Sequence, residues 1–516
     1  MRGHYLATAR TGSAIAGGVL ALLLAWPAAA DRVVVAIDPP TSETNLFWNG
    51  IGERMPSMQA LVGHDPVTGV YDNSELAESW EANDGFTEWT FHLKPAAEFH
   101  FDWGPVSAHD VVHSYELHVG PDSTIVGLEH VRAQEVEALD DHTVVFRFES
   151  PRTDYAFHHA GRGSMVVYSK AQFDAEGLEG YVAKPAGTAP YRFVERRPGE
   201  GVLFERVPDH WQGVEPDFEE LELRWAAEPA TKLAMLLAGE AHIADLPREI
   251  QAEALAAGKQ IIASQNPAMA TGANFNGLYL KSGDPAFKPD LPWADIRVRE
   301  AMNRALNRDE MLEILYDGRA RKVPSWIMDP RHEGYVPELE ERFEEMYGYD
   351  PERAKALLAE AGYPDAFPDP VIPIVSSVLT GNPEFGTMTE LLQVYFEEIG
   401  LQTEIREMDW ASLGALGRAR EAYLIGPIRN APIRPSETAL DLFFTSGGAP
   451  YGGYESDTIE SLSAELMRAI DADERNRIAA EPSPTFSSSM PTCRSPRSTP
   501  RWWSIRRSWR TGPFRA

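Results

Sequence analysis

The spacing of apolar residues predicts a mixed α/β or α+β protein of two or three domains, and three observations carry that expectation. Short β-branched runs and period-2 stretches, which read as strands, alternate along the chain with segments of helical period. The 516 residues exceed the roughly 250–300 that a single core holds. One cysteine, Cys493, is present, so neither an intrachain disulfide nor a cysteine-based zinc site can form, and stability must come from packing.

Taken in order, residues 33–37 are a β-branched run ending at Asp38-Pro39-Pro40, which reads as a buried strand followed by a loop. Residues 89–93 and 143–148 read as strands, the latter by alternation. The pair 191–196 and 202–206 reads as a hairpin turned at Pro198-Gly199, and 221–225 is a further strand. Residues 231–238 read as a helix closed by Gly239. Helices are expected at 298–306, 309–316, 351–361 and 387–399, the last two stopped by Gly362 and Gly400, with a strand at 401–406.

The N-terminus reads as an export address. Arg2 and Arg10 are positive, residues 14–25 are apolar, and Ala28-Ala29-Ala30 provides a small-residue cleavage site. The apolar run is shorter than the roughly 20 residues a spanning helix needs. Residues 1–30 are therefore expected to be a signal peptide, with Asp31 opening a soluble product outside the cytoplasm. A net charge of −31 disfavours nucleic acid and anionic membrane as partners.

Several motifs occur in a fixed order. They are Leu76-Ala77-Glu78-Ser79-Trp80, Trp89-Thr90-Phe91-His92-Leu93-Lys94 and Glu98-Phe99-His100, then Ser107-Ala108-His109-Asp110 and Gly187-Thr188-Ala189-Pro190-Tyr191. Pro208-Asp209-His210-Trp211, Leu236-Leu237-Ala238-Gly239-Glu240, Asp295-Ile296-Arg297-Val298-Arg299 and Asp350-Pro351-Glu352-Arg353 follow. From about residue 33 to 473 the chain resembles the peptide/nickel-type (oligopeptide-binding, family 5) extracellular solute-binding proteins of ABC importers. Ala189 stands where that family has the middle glycine of Gly-Thr-Gly-Pro-Tyr.

The resemblance implies a two-lobed α/β periplasmic-binding-protein-like fold with a hinge and an additional domain on the first lobe. The expected division is 31–68 and 187–270 for the first lobe, 69–186 for the additional domain and 271–480 for the second lobe. It also implies a monomeric periplasmic receptor, without a cofactor, that encloses a peptide or other small polar solute and delivers it to ABC permease subunits in the inner membrane. In the first-lobe loop Asn45, Phe47 and Trp48 are expected to line the cleft, with Trp410, Arg429 and Asn430 facing them. Peptide-binding members carry an aspartate for the peptide ammonium in the stretch that here is 424–432. That stretch has no carboxylate and holds Arg429, which suits a carboxylate or phosphonate partner, or a stacked planar group, rather than an ammonium.

Two rival readings start from residue type. His109 and His113 have the i, i+4 spacing of helical metal ligands beside Asp110 and His118, but His-Asp-Val-Val-His is not a zincin motif and the segment reads as an ordinary amphipathic helix. His158-His159 reads as a solvated pair on a loop. No Gly-x-Ser-x-Gly, P-loop or Gly-x-Gly-x-x-Gly occurs, so no catalytic residue is assigned; a secreted hydrolase, or a receptor feeding a sensor, is the alternative. The last segment, 481–516, breaks composition, with seven arginines against one acid. It reads as an aberrant basic tail. A frameshift explains it: shifted codons force Ala at Met490-Pro491 and Val at Trp502-Trp503, and permit a closing segment like the family's, which returns to the first lobe. A natural basic tail that binds anionic envelope components is the other explanation.

Overall fold

The computed structural model describes residues 32–40, 56–65, 70–121, 123, 131–160, 165–262, 269–279, 284–324, 334–377, 382, 384–430, 435, 436, 438–440, 455, 457–481, 489, 490 and 493–495. The chain opens with β1 (Arg32–Ile37), whose valines are buried on both faces. Val33 and Val35 pack with Phe193, Phe204 and Leu223, while Val34 and Ala36 face Met235 and Ala241. Burial on both sides is why the strand reads as a continuous apolar run.

The chain then forms a separate antiparallel unit. A short hairpin, β2 (Gly63–His64) and β3 (Tyr71–Asp72), precedes β4 (Ala77–Ala82), β5 (Glu88–Leu93), β6 (Glu135–Asp140) and β7 (Thr143–Arg147). These four pair in the order β4-β5-β7-β6. Trp89, Phe91 and Leu93 alternate inward on β5 and pack against α1 (Ala108–Val119) and α2 (Tyr155–His159). At α1, Asp110 is buried in a capping role. Its carboxylate accepts from Ser107 N and Oγ and from Lys170 N, which ties α1 to α3 (Lys170–Ala183).

The chain returns with β8 (Tyr191–Arg197), β9 (Gly201–Arg206), β10 (Glu220–Trp225), α4 (Pro229–Ala238), β11 (Ile243–Ala244) and α5 (Arg248–Ala256). The sheet order is β11-β1-β10-β9-β8, with β1 parallel to both β10 and β11. Three of the sequence motifs form one knot where this sheet meets the antiparallel unit. His210 Nε2 and Trp211 Nε1 both bond Thr188 O, at 2.8 and 2.9 Å, and His100 Nε2 bonds Ala189 O at 2.8 Å. Gly187 is required there, because a Cβ would lie 1.8 Å from Ser57 O.

The second sheet begins at β12 (Met269–Phe275). It is followed by α6 (Ile296–Ala305), α7 (Arg308–Tyr316), β13 (Arg321–Lys322), α8 (Pro351–Ala361), β14 (Val371–Ser376), α9 (Phe385–Glu398), β15 (Gln402–Glu407), α10 (Trp410–Arg418), β16 (Ile425–Asn430), α11 (Asp457–Leu466) and α12 (Ala472–Ala480). Strand β14 is parallel to β15 and β16; β12 is antiparallel to β16. Ala273, Phe275, Ile374 and Ile425 face α6 to α9, whereas Ala270 and Ile428 face α11 and α12. This is the two-sheet, helix-flanked α/β architecture expected. The expected helices and strands are present with ends moved by a residue or two, α8 with Asp350 as N-cap and a left-handed Gly362 as C-cap.

One expectation is corrected. His158 and His159 are buried within α2, with the His159 ring 4.8 Å from both Phe91 and Phe146. The segment carrying His109 and His113 is a helix, as expected; His109 is exposed and the His113 ring meets Phe173 edge-on, with ring centres 5.0 Å apart. The described part of the tail joins the second sheet: β17 (Ser489–Met490) pairs with β12, and β18 (Cys493–Ser495) lies between β12 and β13. Residues 1–30, expected to be a signal peptide, and the rest of the tail beyond Glu481 lie outside the described residues.

Candidate ligand-binding cleft

Open α/β sheets bind ligands beyond the carboxyl ends of their parallel strands. In the first sheet those ends are Ile37, Trp225 and Ala244; in the second they are Ser376, Glu407 and Asn430. Residues from the segments beside the two sets of ends meet. Arg248, four residues beyond β11, has Nε 3.6 Å from Oε1 of Glu384, which follows β14. Gln251 Oε1 accepts from Arg319 Nη2 at 3.3 Å. The two sheets therefore present their carboxyl ends to each other, and the space between these ends is the candidate cleft.

On the first-lobe side the floor is charged. Asp38 directly follows β1 and Asp245 directly follows β11. Lys232 of α4 donates to both, at 2.6 and 2.8 Å. Lys232 and Asp245 are buried. Burial pushes the Asp245 carboxyl up to about 6, against the opposing pull of the Lys232 ammonium. One lysine between two carboxylates makes the cluster net negative when both are ionised.

On the second-lobe side, Arg429 sits next to last in β16, half-buried, and its Nη1 donates to Asn382 Oδ1 at 2.6 Å. Its cross-strand partner is Thr271, whose hydroxyl bonds Tyr316 OH at 2.7 Å. The guanidinium of Arg248 lies 5.9 Å over the same Tyr316 ring. Arg429 thus belongs to a polar set at the carboxyl end of the second sheet. The end of β16 also carries Asn430, whose backbone pairs with Ala270.

Trp410 is placed differently. It opens α10, capped by Asp409 at Ser412 N, and packs partly buried against Ile428 and Leu424 on the sheet face opposite Arg429. Asn45, Phe47 and Trp48 lie outside the described residues. Sequence reasoning missed Asp38, Lys232, Asp245, Arg248, Asn382 and Glu384. A charged residue directly ending an apolar strand was a usable signal for Asp38; no local signal joins Arg248 to a residue 136 positions away.

The family model of the bacterial extracellular solute-binding proteins, family 5 Middle, matches residues 73–452. The chain belongs to that family. This family 5 chain is 27% identical over 378 residues to heme-binding protein A of Haemophilus influenzae, which covers 68% of the chain and 64% of the relative. It is 24% identical over 369 residues to the dipeptide-binding protein of Escherichia coli, covering 67% and 65% respectively. The matched stretch is thus slightly less than two thirds of either relative's length. Among solved structures, the A. tumefaciens R10 binding protein MoaA in complex with mannopinic acid superimposes with a TM-score of 0.72 at 20% identity, covering 90% of this chain and 93% of that one. The likeness fixes the fold as that of periplasmic binding proteins.

Proposed function

We propose that this family 5 chain is the periplasmic solute-binding receptor of an ABC importer, binding a small polar solute with an anionic group between its two lobes. Membership in a binding-protein family supports a non-catalytic role, with permease subunits as the partner that receives the solute. The observation that carries the ligand class is Arg429 on the cleft-facing end of β16, beside the Asn382 amide and across from Thr271. A guanidinium there matches a carboxylate by two parallel donors. The relatives' ligands are diverse, with heme, a dipeptide and mannopinic acid named for three of them, so the anionic class rests on this chain's own residues.

A thermal-shift screen on residues 31–516 tests the reading, using dipeptides, neutral sugars, sugar–amino acid conjugates with carboxylates, and nickel–histidine. Binding to the folded state raises the melting temperature by mass action. Carboxylate-bearing solutes are expected to raise it without turnover, and Arg429→Ala to weaken their binding by about 10- to 100-fold, or roughly 1.5–3 kcal/mol. Shifts from neutral sugars alone, unchanged in Arg429→Ala, would sink the anionic class. Consumption of a solute would sink the receptor.

A further inference from the structure

Where the two sheets meet, hydrogen-bond donors are left over. Arg248 opens α5, whose N-cap, Pro247, supplies no side-chain cap. The Arg248 side chain is 7% exposed, and its Nε makes no hydrogen bond among the described residues, with Glu384 Oε1 3.6 Å away. Arg319 comes to the same place. Its Nη2 donates to Gln251 Oε1 and Asp317 Oδ2, while its buried Nε makes no hydrogen bond among the described residues. Ser377, the residue after β14, is buried, and its hydroxyl is likewise unpaired among the described residues.

These groups share one chemistry. A guanidinium N–H only donates, a serine hydroxyl can donate, and a buried donor costs free energy until an acceptor meets it. With Arg429, three guanidiniums stand here against the carboxylates of Glu384 and the exposed Asp317. Burial lowers the pKa of the Arg248 guanidinium, against the pull of Glu384. The place suits an oxyanion, and it is tied closely to Arg429. Arg429 bonds Asn382 and Arg248 pairs with Glu384, two positions on, a span of at most about 7 Å along the chain. Tyr316 joins them a second time, with its ring under Arg248 and its hydroxyl on Thr271, the cross-strand partner of Arg429.

We propose that Arg248, with Arg319 and Ser377, forms a second oxyanion subsite, and that the solute is a short-chain dicarboxylate held by Arg429 at one end and Arg248 at the other. The inference rests on the anionic-solute reading above and narrows it. A solute with one carboxylate leaves one set of buried donors without an acceptor, so the second carboxylate sets the selectivity. Selectivity of this kind comes from donors that reject an uncharged isostere, not from the shape of the cleft.

Isothermal titration calorimetry on the whole chain tests it with isosteric pairs that differ by one carboxylate. The pairs are succinate and succinamate, glutarate and glutaramate, and N-acetylglutamate and N-acetylglutamine. At least one dicarboxylate is expected to bind about 10-fold or more tightly than its monoamide. Arg248→Gln is expected to weaken that dicarboxylate by about 10- to 100-fold and to abolish the preference, and Arg248→Lys to restore part of it. Circular dichroism melts check that each variant is folded; if Arg248→Gln is not, Ser377→Ala carries the test, with a smaller loss of preference expected. An Arg248→Gln chain that is folded and keeps the full preference overturns the second subsite, as does one that weakens both members of a pair alike. Monoamides that bind as tightly as dicarboxylates, and lose affinity in Arg429→Ala, overturn the second subsite and leave the anionic reading standing. Binding of neither class, or binding indifferent to Arg429→Ala, overturns both.

Discussion

Lys232 holds two carboxylates at the ends of two parallel strands, and its removal isolates them in a buried site. Lys232→Met is expected to cost about 3–5 kcal/mol in urea unfolding at pH 8, the range for breaking a buried ion pair. The deficit should shrink at pH 5, because a proton on Asp245 then replaces the lost ammonium; an equal deficit at both pH values would contradict the role given to Lys232. The buried histidines act in the other direction. Burial holds His100 down to about 3 and His159 well below its ordinary value, whereas the unfolded chain takes up protons near 6.5. The unfolded state therefore binds the extra protons between about pH 6.5 and 3, and folding stability falls as pH drops through that window. Each histidine contributes about 1.4 kcal/mol per pH unit well below 6.5. Asp245, raised to about 6, opposes part of this loss below that pH. Melting temperatures at pH 7.5 and 5 should show a net fall, shallower in His100→Gln; identical slopes would remove His100 from the account. Sequence identifies these histidines but not their surroundings: His159 reads as solvated until β5 and β7 bring Phe91 and Phe146 against it.

At the scale of elements, local chemistry read α8 from both ends, with Asp350 and Pro351 opening it and a left-handed Gly362 closing it. The strands at β14 and β16 were not legible, because Pro373 and Gly426-Pro427 are turn residues by local preference. Burial between β12, α9 and α10 overrides that preference. The described tail strands are the reverse case, since their sequence gives no strand signal and their pairing is a backbone affair. β18 is the strand through which β13 joins the sheet, and with β17 it covers one edge of β12. Truncation after residue 488 would bare that edge, and exposed edges template association. A lower melting temperature and oligomers in size-exclusion chromatography with light scattering are expected. A truncated monomer as stable as the full chain would mean that the tail strands add nothing.

The whole molecule has distinct cores. One is built on Phe91, Phe146 and Tyr155, another on Phe204 and Leu223 behind β1, and a third on Phe275, Trp293 and Phe396 in the second lobe. Units with separate cores do not in general unfold as one. Calorimetry of residues 31–516 is expected to give a van't Hoff enthalpy below the calorimetric enthalpy. Equality of the two would show that the lobes and the antiparallel unit melt together.

Sequence alone determined the mixed α/β class, the order of most elements and the family, because periodicity, caps and turn motifs are written in neighbouring residues. It also singled out Arg429, as the charge standing where a peptide receptor carries an aspartate. Tertiary structure decided which charges meet at the candidate cleft. Asp38 meets Lys232 across 194 residues and Arg248 meets Glu384 across 136, and Trp410 lies on the sheet face opposite Arg429. Such juxtapositions depend on strand order and on how two sheets oppose their carboxyl ends, and neither is encoded within the span of a helix or a turn.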